Sequence, residues 1–329
     1  MSTVWYVRID SCKPLQWLVE FSGQEKIMTS TVAQICSDIK AAIDKKDELR
    51  VAFIASEYSS PSRLKIAQSY EATYKTPITE AIKKSIKGGS VEDLLVNMWV
   101  SRHEHRAELI NKAISGSNDE EAIRELVFLC NPEDWHETAS IYNQKYQKIM
   151  QDAITKAIGN KSHWAKLVTG WMEHKREGRG SVDNDVKYLK ELIDAPVTDG
   201  DALARFFSST TPDEYTQIAD KFCEEYNLSI DQALVRPLKE NENDLDAYAA
   251  AHFVLHGLPV LAAQLINKAC RPKNGNERSI CRITTLMVDQ CLAAKYAYKL
   301  YGDMGADLSR CFDDRMAPIL RTLWRVTDA

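Results

Sequence analysis

Apolar residues along this chain fall mostly three and four positions apart, the spacing that sets them on one stripe of a helix. The clearest case is the stretch 62–74, SRLKIAQSYEATY, where Arg63, Ile66, Tyr70 and Tyr74 line a single face. The stretch returns in altered form. Tyr146 follows Tyr74 by 72 residues, with Tyr142 one turn before it, and Trp99 and Trp171 each stand 25 residues beyond the closing tyrosine. A third copy, EYTQIADKFCEEY, puts Ile218, Phe222 and Tyr226 at the positions of Ile66, Tyr70 and Tyr74. A fourth closes as YKLYG at Tyr301, with Trp324 23 residues later. Aromatic stripes are common in helical cores, but a matched Tyr-to-Trp interval in three copies marks one helical module used four times.

The first module reads as five helices, TVAQICSDIKAAID, ELRVAFIASEY, SRLKIAQSYEATY, PITEAIKKSIK and VEDLLVNMWV. Its breaks are chemically sensible: Ser59-Ser60-Pro61 parts the second from the third, and Pro77 opens the fourth. Gly88-Gly89 ends that helix, and Ser90 can cap the fifth. The chain thus divides into an N-terminal extension (1–28), a first repeat (29–101), a second (102–174), a linker with a third (175–257) and a fourth (258–329). The charged linker KREGRGSVDND is expected to part the chain into halves of two repeats each. In the extension, VWYVRI alternates like a short strand, and Arg8, Asp10 and Lys13 interrupt any signal-peptide core. The stretch 247–266, AYAAAHFVLHGLPVLAAQLI, is uncharged and has the length of a membrane span. His252, His256, Gly257, Pro259 and Gln264 break it, so two buried helices joined at His256-Gly257 are expected instead.

Composition changes the picture only a little. Over 329 residues the chain is 44% hydrophobic and 27% charged, ordinary for a soluble globular protein, and scarce glycine (13) and proline (10) suit a mostly helical one. A net charge of −5 argues against a nucleic-acid binder. It also means that an acidic surface must be met by local basic patches or a bridging cation. The eight cysteines include no CxxC pair, which points to a reduced, cytoplasmic compartment. His252 and His256 have a zinc-compatible spacing but lack the glutamate of H-E-x-x-H and sit among apolar residues, so they read as core histidines. No catalytic constellation is visible, and the protein is not expected to be an enzyme.

Four modules of five helices, with R-x-x-I-x-x-x-Y-x-x-x-Y in the third helix and D-E opening the second, resemble annexin repeats over 29–329. The strings AFIASEY, PEDWHET, YKLYGDMG and RMAPILRTLWRV look like the α-giardins, the divergent annexins of a flagellated protist's cytoskeleton and membranes. The resemblance implies an all-α fold of four annexin-type repeats forming a curved disc. It also implies calcium-dependent attachment to acidic phospholipid membranes. In the family a K-G-x-G-T loop between the first two helices offers backbone carbonyls to calcium, and a carboxylate about forty residues later completes the shell. Calcium takes six to eight oxygens, and glycines let the loop turn its carbonyls inward.

This sequence departs from that motif. The first-repeat loop, Ile43 to Glu48, has no glycine, and Lys83, Lys84 and Lys87 stand where the acid should be, so no family-type site is expected there; the Gly88-Gly89 loop with Glu92 could hold a weaker ion. The second repeat keeps Gly116 and Asn118 but has no later carboxylate. The third offers Asp199 and Gly200 with Glu240 forty residues beyond; the fourth offers Lys273 and Gly275 with Asp313 and Asp314. Asp-Gly and Asn-Gly are equally common as plain helix-ending turns. Two basic clusters, Lys83, Lys84 and Lys87 and then Lys175, Arg176 and Arg179, could take sulfate or phosphate groups or could be solvated faces. The resemblance allows heparan sulfate-like glycans and the microtubule cytoskeleton as further partners. Two functions therefore stand side by side: a calcium-bridged peripheral membrane protein, and a cytoskeletal helical scaffold whose calcium sites have largely decayed.

Overall fold

The computed structural model describes residues 31–326. The N-terminal extension and its expected strand lie outside them. The first repeat carries α1 (Val32–Asp44), α2 (Glu48–Ser56), α3 (Ser60–Tyr74), α4 (Ile78–Ser85) and α5 (Gly89–Asn97). The second carries α6 (Arg102–Ile114), α7 (Glu120–Phe128), α8 (Pro132–Tyr146), α9 (Met150–Ile158) and α10 (His163–Met172). The third carries α11 (Val182–Asp194), α12 (Gly200–Ser209), α13 (Pro212–Tyr226), α14 (Ile230–Leu238) and α15 (Glu242–Leu255). The fourth carries α16 (Leu258–Ala269), α17 (Glu277–Met287), α18 (Cys291–Tyr298), α19 (Met304–Cys311) and α20 (Met316–Leu323). The fold is all-α in four five-helix repeats.

The repeated residues do the same work in each copy. Asp47, Asp119, Asp199 and Asn276 each precede the second helix and accept a backbone N–H of its first turn. The third helices of the first three repeats close on a left-handed residue, Lys75, Gln147 and Asn227. Their aromatic pairs meet at similar ring separations: Tyr70–Tyr74 4.7 Å, Tyr142–Tyr146 4.8 Å and Phe222–Tyr226 4.8 Å. Tyr70, Tyr142, Phe222 and Tyr298 are fully buried, as are Trp99, Trp171 and Trp324 to within a few per cent. The uncharged stretch 247–266 splits where expected: α15 ends at Leu255, Gly257 turns the chain at φ +125°, and α16 begins. Among the described residues no helix is long and apolar enough to cross a membrane.

The grouping of repeats differs from the sequence expectation. Two compact units form, one holding the first and fourth repeats (31–106 with 262–326), the other holding the second and third within 107–261. In the first unit α2 packs on α20 and α5 on α17; in the second, α10 packs on α12 and α7 on α15. Each repeat thus lends its second and fifth helices to its partner. The linker does not divide halves; it is strapped to one unit. Glu177 N–H donates to Ser209 O at 3.0 Å, and Arg179 N–H reaches Glu214 Oε1 at 2.7 Å.

Arg63 shows what this pairing demands. Its side chain is 4% exposed, and it donates to Met98 O at 2.8 Å, Tyr58 O at 2.5 Å and, from the fourth repeat, Asp289 Oδ1 at 3.0 Å. Burial lowers its pKa and Asp289 opposes that shift. Replacing Arg63 with alanine leaves Asp289 without its counter-cation, though Ser60 N–H still donates to it, and removes a donor from the Met98, Tyr58 and Ala55 carbonyls. The unfolding free energy is expected to fall by about 3–5 kcal/mol, read as a lower denaturant midpoint.

Candidate functional site

The loops joining the first and second helices are built alike. In three of them the capping residue's own N–H returns to the helix before: Asp47 to Ala42 O at 2.9 Å, Asp119 to Ala113 O at 2.9 Å, Asn276 to Ala269 O at 2.8 Å. Each loop is also pinned to the far end of its repeat's fourth helix. Ser85 Oγ donates to Ile43 O, Asn118 Nδ2 to Ala157 O at 2.6 Å, Thr198 Oγ1 to Pro237 O at 3.3 Å, and Cys311 Sγ to Cys270 O at 2.9 Å. Residues about forty apart in sequence are therefore neighbours in every repeat, the geometry that a loop site with a distant carboxylate requires.

Aligning the loops by their caps sorts the glycines. Gly275 stands one residue before the cap at φ +62°, and Lys46 takes the same position and conformation in the first repeat at φ 55°. Gly116 stands three before the cap at φ +85°, with open space around it. Gly200 is different. It is the buried first residue of α12, where an added Cβ would lie 2.0 Å from His163 Nδ1, so it serves close packing and offers no loop carbonyl. Asp199 is engaged by Asp201 N–H at 3.1 Å and Ala202 N–H at 3.0 Å, while Glu240 is exposed in the turn before α15. The third-repeat set read from sequence is thus reduced to Glu240 beside a loop without a turned glycine.

The fourth repeat keeps the arrangement. A Cβ on Gly275 would meet Phe312 at 2.5 Å and Cys311 O at 2.9 Å, so the loop lies directly on the segment that carries Asp313 and Asp314. Asp313 is committed to capping α20, accepting Met316 N–H at 2.7 Å and Arg315 N–H at 3.1 Å. Asp314 is exposed, and no hydrogen bond or ion pair occupies it among the described residues. Nowhere among those residues do three His, Cys, Asp or Glu side chains gather to hold a metal. A hard ion on loop carbonyls needs fewer, and Lys273, Asn274 and Gly275 can supply carbonyls with Asp314 as the carboxylate.

The first repeat is filled from within. Arg315 crosses from the fourth repeat, bonds both oxygens of Glu48 (2.7–3.2 Å) and donates to Gly88 O at 3.0 Å and Lys87 O at 3.3 Å. Glu48 raises the Arg315 pKa further. Glu92, the acid of the expected weaker site, accepts Gly88 N–H at 2.8 Å. A guanidinium therefore holds the oxygens that a weak ion would need. No local pattern signals this clamp, because Glu48 and Arg315 lie 267 residues apart.

The cations of the linker cluster have partners within the fold. Arg176 stacks on Trp171 at 4.1 Å and donates to Thr210 O at 2.7 Å, and burial brings its pKa down to about 10. Arg179 pairs with Asp185 at 2.8 Å, and Lys175 pairs with Glu173 at 3.2 Å. Arg176 and Arg179 fix the strap, while Lys175 is exposed. Lys83 bonds Glu80 at 3.1 Å, whereas Lys84 and Lys87 are exposed. His252 and His256 are core residues: His252 Nδ1 lies 2.8 Å from Tyr215 OH, and the two rings are 4.9 Å apart.

Comparison with known proteins places these loops in context. A family model described as the fourth repeat of annexin E1 matches residues 262–325. Giardin subunit alpha-5 of Giardia intestinalis is 93% identical over 302 residues, covering 92% of this chain and 100% of its own length. Giardin subunit alpha-1 of the same organism is 47% identical over 90% of this chain and 99% of its own. The crystal structure of calcium-bound alpha-1 giardin superposes with a TM-score of 0.86 at 45% identity, covering 91% of this chain and 100% of that one.

Two outcomes follow from the geometry. Gly275→Ala must adopt a strained positive φ and also displace Phe312, so its melting temperature should fall well below that of Gly116→Ala, which bears only the backbone strain of about 1 kcal/mol. For the histidines, desolvation lowers both pKa values, that of His256 to about 3 from the ordinary 6.5. The unfolded chain then binds more protons below pH 6.5, so stability is complete above that value and declines as pH falls toward 3. The His256 imidazole destabilises by up to about 1.4 kcal/mol per pH unit in that window, and His252 acts in the same direction. Thermal melts across the window check this, and His256→Gln should flatten the dependence.

Proposed function

The chain belongs to the α-giardin branch of the annexin family, and on that basis we propose that it is a non-enzymatic, calcium-dependent peripheral binder of acidic phospholipid membranes, acting from the cytoplasm. The observation that carries this reading is the fourth-repeat loop, where Gly275 rests against Cys311 and Phe312, beside an unengaged Asp314. A divalent ion held there would have its remaining positions open to lipid phosphate. It would also offset the repulsion between a chain of net charge −5 and an acidic bilayer. The alpha-1 giardin structure, alike in fold over nearly the whole chain, is calcium-bound, which supports the same ion here.

A second reading, a cytoskeleton-associated scaffold with mostly decayed sites, draws support from the other three loops. The first has Arg315 in place of an ion, the second has no carboxylate at Gly159 to Lys161, and the third has no turned glycine. The two readings combine in a protein whose attachment depends on one repeat while the others provide the frame. The microtubule cytoskeleton and heparan sulfate-like glycans are partners that this frame leaves to be assayed.

Co-sedimentation with phosphatidylserine vesicles, in millimolar calcium and in chelator, tests the proposal. Binding is expected to rise with calcium, and Asp314→Ala should weaken the calcium-dependent part about tenfold or more while the fold survives. Asp313→Ala should instead lower stability by about 1 kcal/mol through its cap. No calcium-dependent difference in the wild-type chain would leave the scaffold reading alone.

A further inference from the structure

The end of the first repeat that lacks a calcium loop is crowded with cations. Ser85 Oγ bonds Ile43 O, which holds the α1–α2 loop beside the end of α4. That bond brings Lys45 and Lys46 of one segment next to Lys83, Lys84 and Lys87 of the other, and all five are exposed. The carboxylates around them are nearly all engaged. Asp44 pairs with Lys40, Asp47 caps α2 through Arg50 N–H, Glu48 is held by Arg315, Glu80 by Lys83, and Glu92 by Gly88 N–H. Asp93, on α5, and Asp314, next to Arg315, are the exceptions. Lys45, Lys46, Lys84 and Lys87 make no side-chain hydrogen bond or ion pair among the described residues.

Two further features shape this end. Arg315 draws Gly88 O and Lys87 O onto Glu48, which fixes the lysine-bearing turn without a metal. Leu49, three residues after Lys46, is 47% exposed. Unpaired ammonium groups around an outward leucine suit a surface with phosphates outside and an apolar layer beneath, which a soluble polyanion does not offer.

We propose that this end of the first repeat is a calcium-independent contact for an acidic phospholipid surface. Lys45, Lys46, Lys84 and Lys87 meet lipid phosphates, and Leu49 enters the headgroup layer. The inference rests on the membrane reading above and adds to it a second, metal-free point of attachment.

The experiment is vesicle co-sedimentation of the full chain in chelator, with phosphatidylserine-containing vesicles against pure phosphatidylcholine, at low and raised salt. The wild-type chain should bind only the acidic vesicles, and salt should weaken that binding. The variant K45A/K46A/K84A/K87A should lose chelator-resistant affinity by at least about tenfold while keeping the extra binding that calcium induces. The salt titration of the wild-type chain carries the test by itself should the variant melt early. Wild-type binding that appears only with calcium would overturn this inference and leave the calcium reading standing. Binding in neither condition would overturn both. Chelator-resistant binding that is insensitive to salt and equal in the variant would remove the lysines from the contact. Retention on heparin without vesicle binding would overturn the lipid assignment in favour of a soluble polyanion.

Discussion

Helix α2 is too short and too apolar to be satisfied by its own repeat. Val51, Ala52, Ile54 and Ala55 are all buried within a nine-residue helix, and they bury because α20 of the fourth repeat closes over α2. The reciprocal pair, α5 on α17, and the matching pairs α7 on α15 and α10 on α12, follow from the same need. A module that cannot bury its faces alone must stack. Here it stacks by exchanging two helices with one specific partner. The polar groups at the seam show how close the exchange is. Trp164 N–H donates to Asp244 Oδ1 at 2.7 Å within one unit, and Ser90 Oγ donates to Glu277 Oε2 at 2.7 Å within the other.

That exchange also decides what happens at the loops. The segment between α19 and α20 serves two repeats at once: Asp314 lies beside the loop of its own repeat, while Arg315 reaches the first residue of α2 in the partner. Adjacent residues of opposite sign thus favour opposite outcomes. One loop keeps an unengaged carboxylate beside it, and the other receives a fixed guanidinium. A guanidinium bound by a carboxylate and two carbonyls is planar, permanently charged and covalently tethered, so it orders the turn whatever the calcium concentration.

Much of the fold was legible because it rests on local rules repeated four times. The Tyr70–Tyr74 stripe and the break at His256-Gly257 are each set by neighbours within a few residues, and each falls where the pattern places it. The cap expected at Ser90 does not, because α5 already begins at Gly89 with Gly88 before it. The pairing of repeats was not legible, since the apolar faces of α2 and α5 say that a partner is needed without saying which one. The loop chemistry was half legible. Asp-Gly at 199–200 and Asn-Gly at 274–275 look alike as letters. They differ by where the helix starts: after Asp199 the glycine already belongs to α12, whereas Gly275 precedes the cap and turns with positive φ. Cap register, not the presence of a glycine, separates the two.

The basic residues teach the same lesson about charge. Lys175, Arg176 and Arg179 form as dense a run as Lys83, Lys84 and Lys87, yet Arg176 lies on Trp171 and Arg179 lies 4.7 Å from the Phe206 ring. In a strap that must be pinned to a helix end, a guanidinium with an apolar stem is the natural fastener, because it can stack and donate at once. Lysines at loop ends have neither constraint. Where the surrounding acids are already bound, as Asp44, Asp47 and Glu48 are, their charge is left facing outward. Whether a cation on this chain is structural or available therefore depends less on how many stand together than on whether each nearby carboxylate and carbonyl has already been taken.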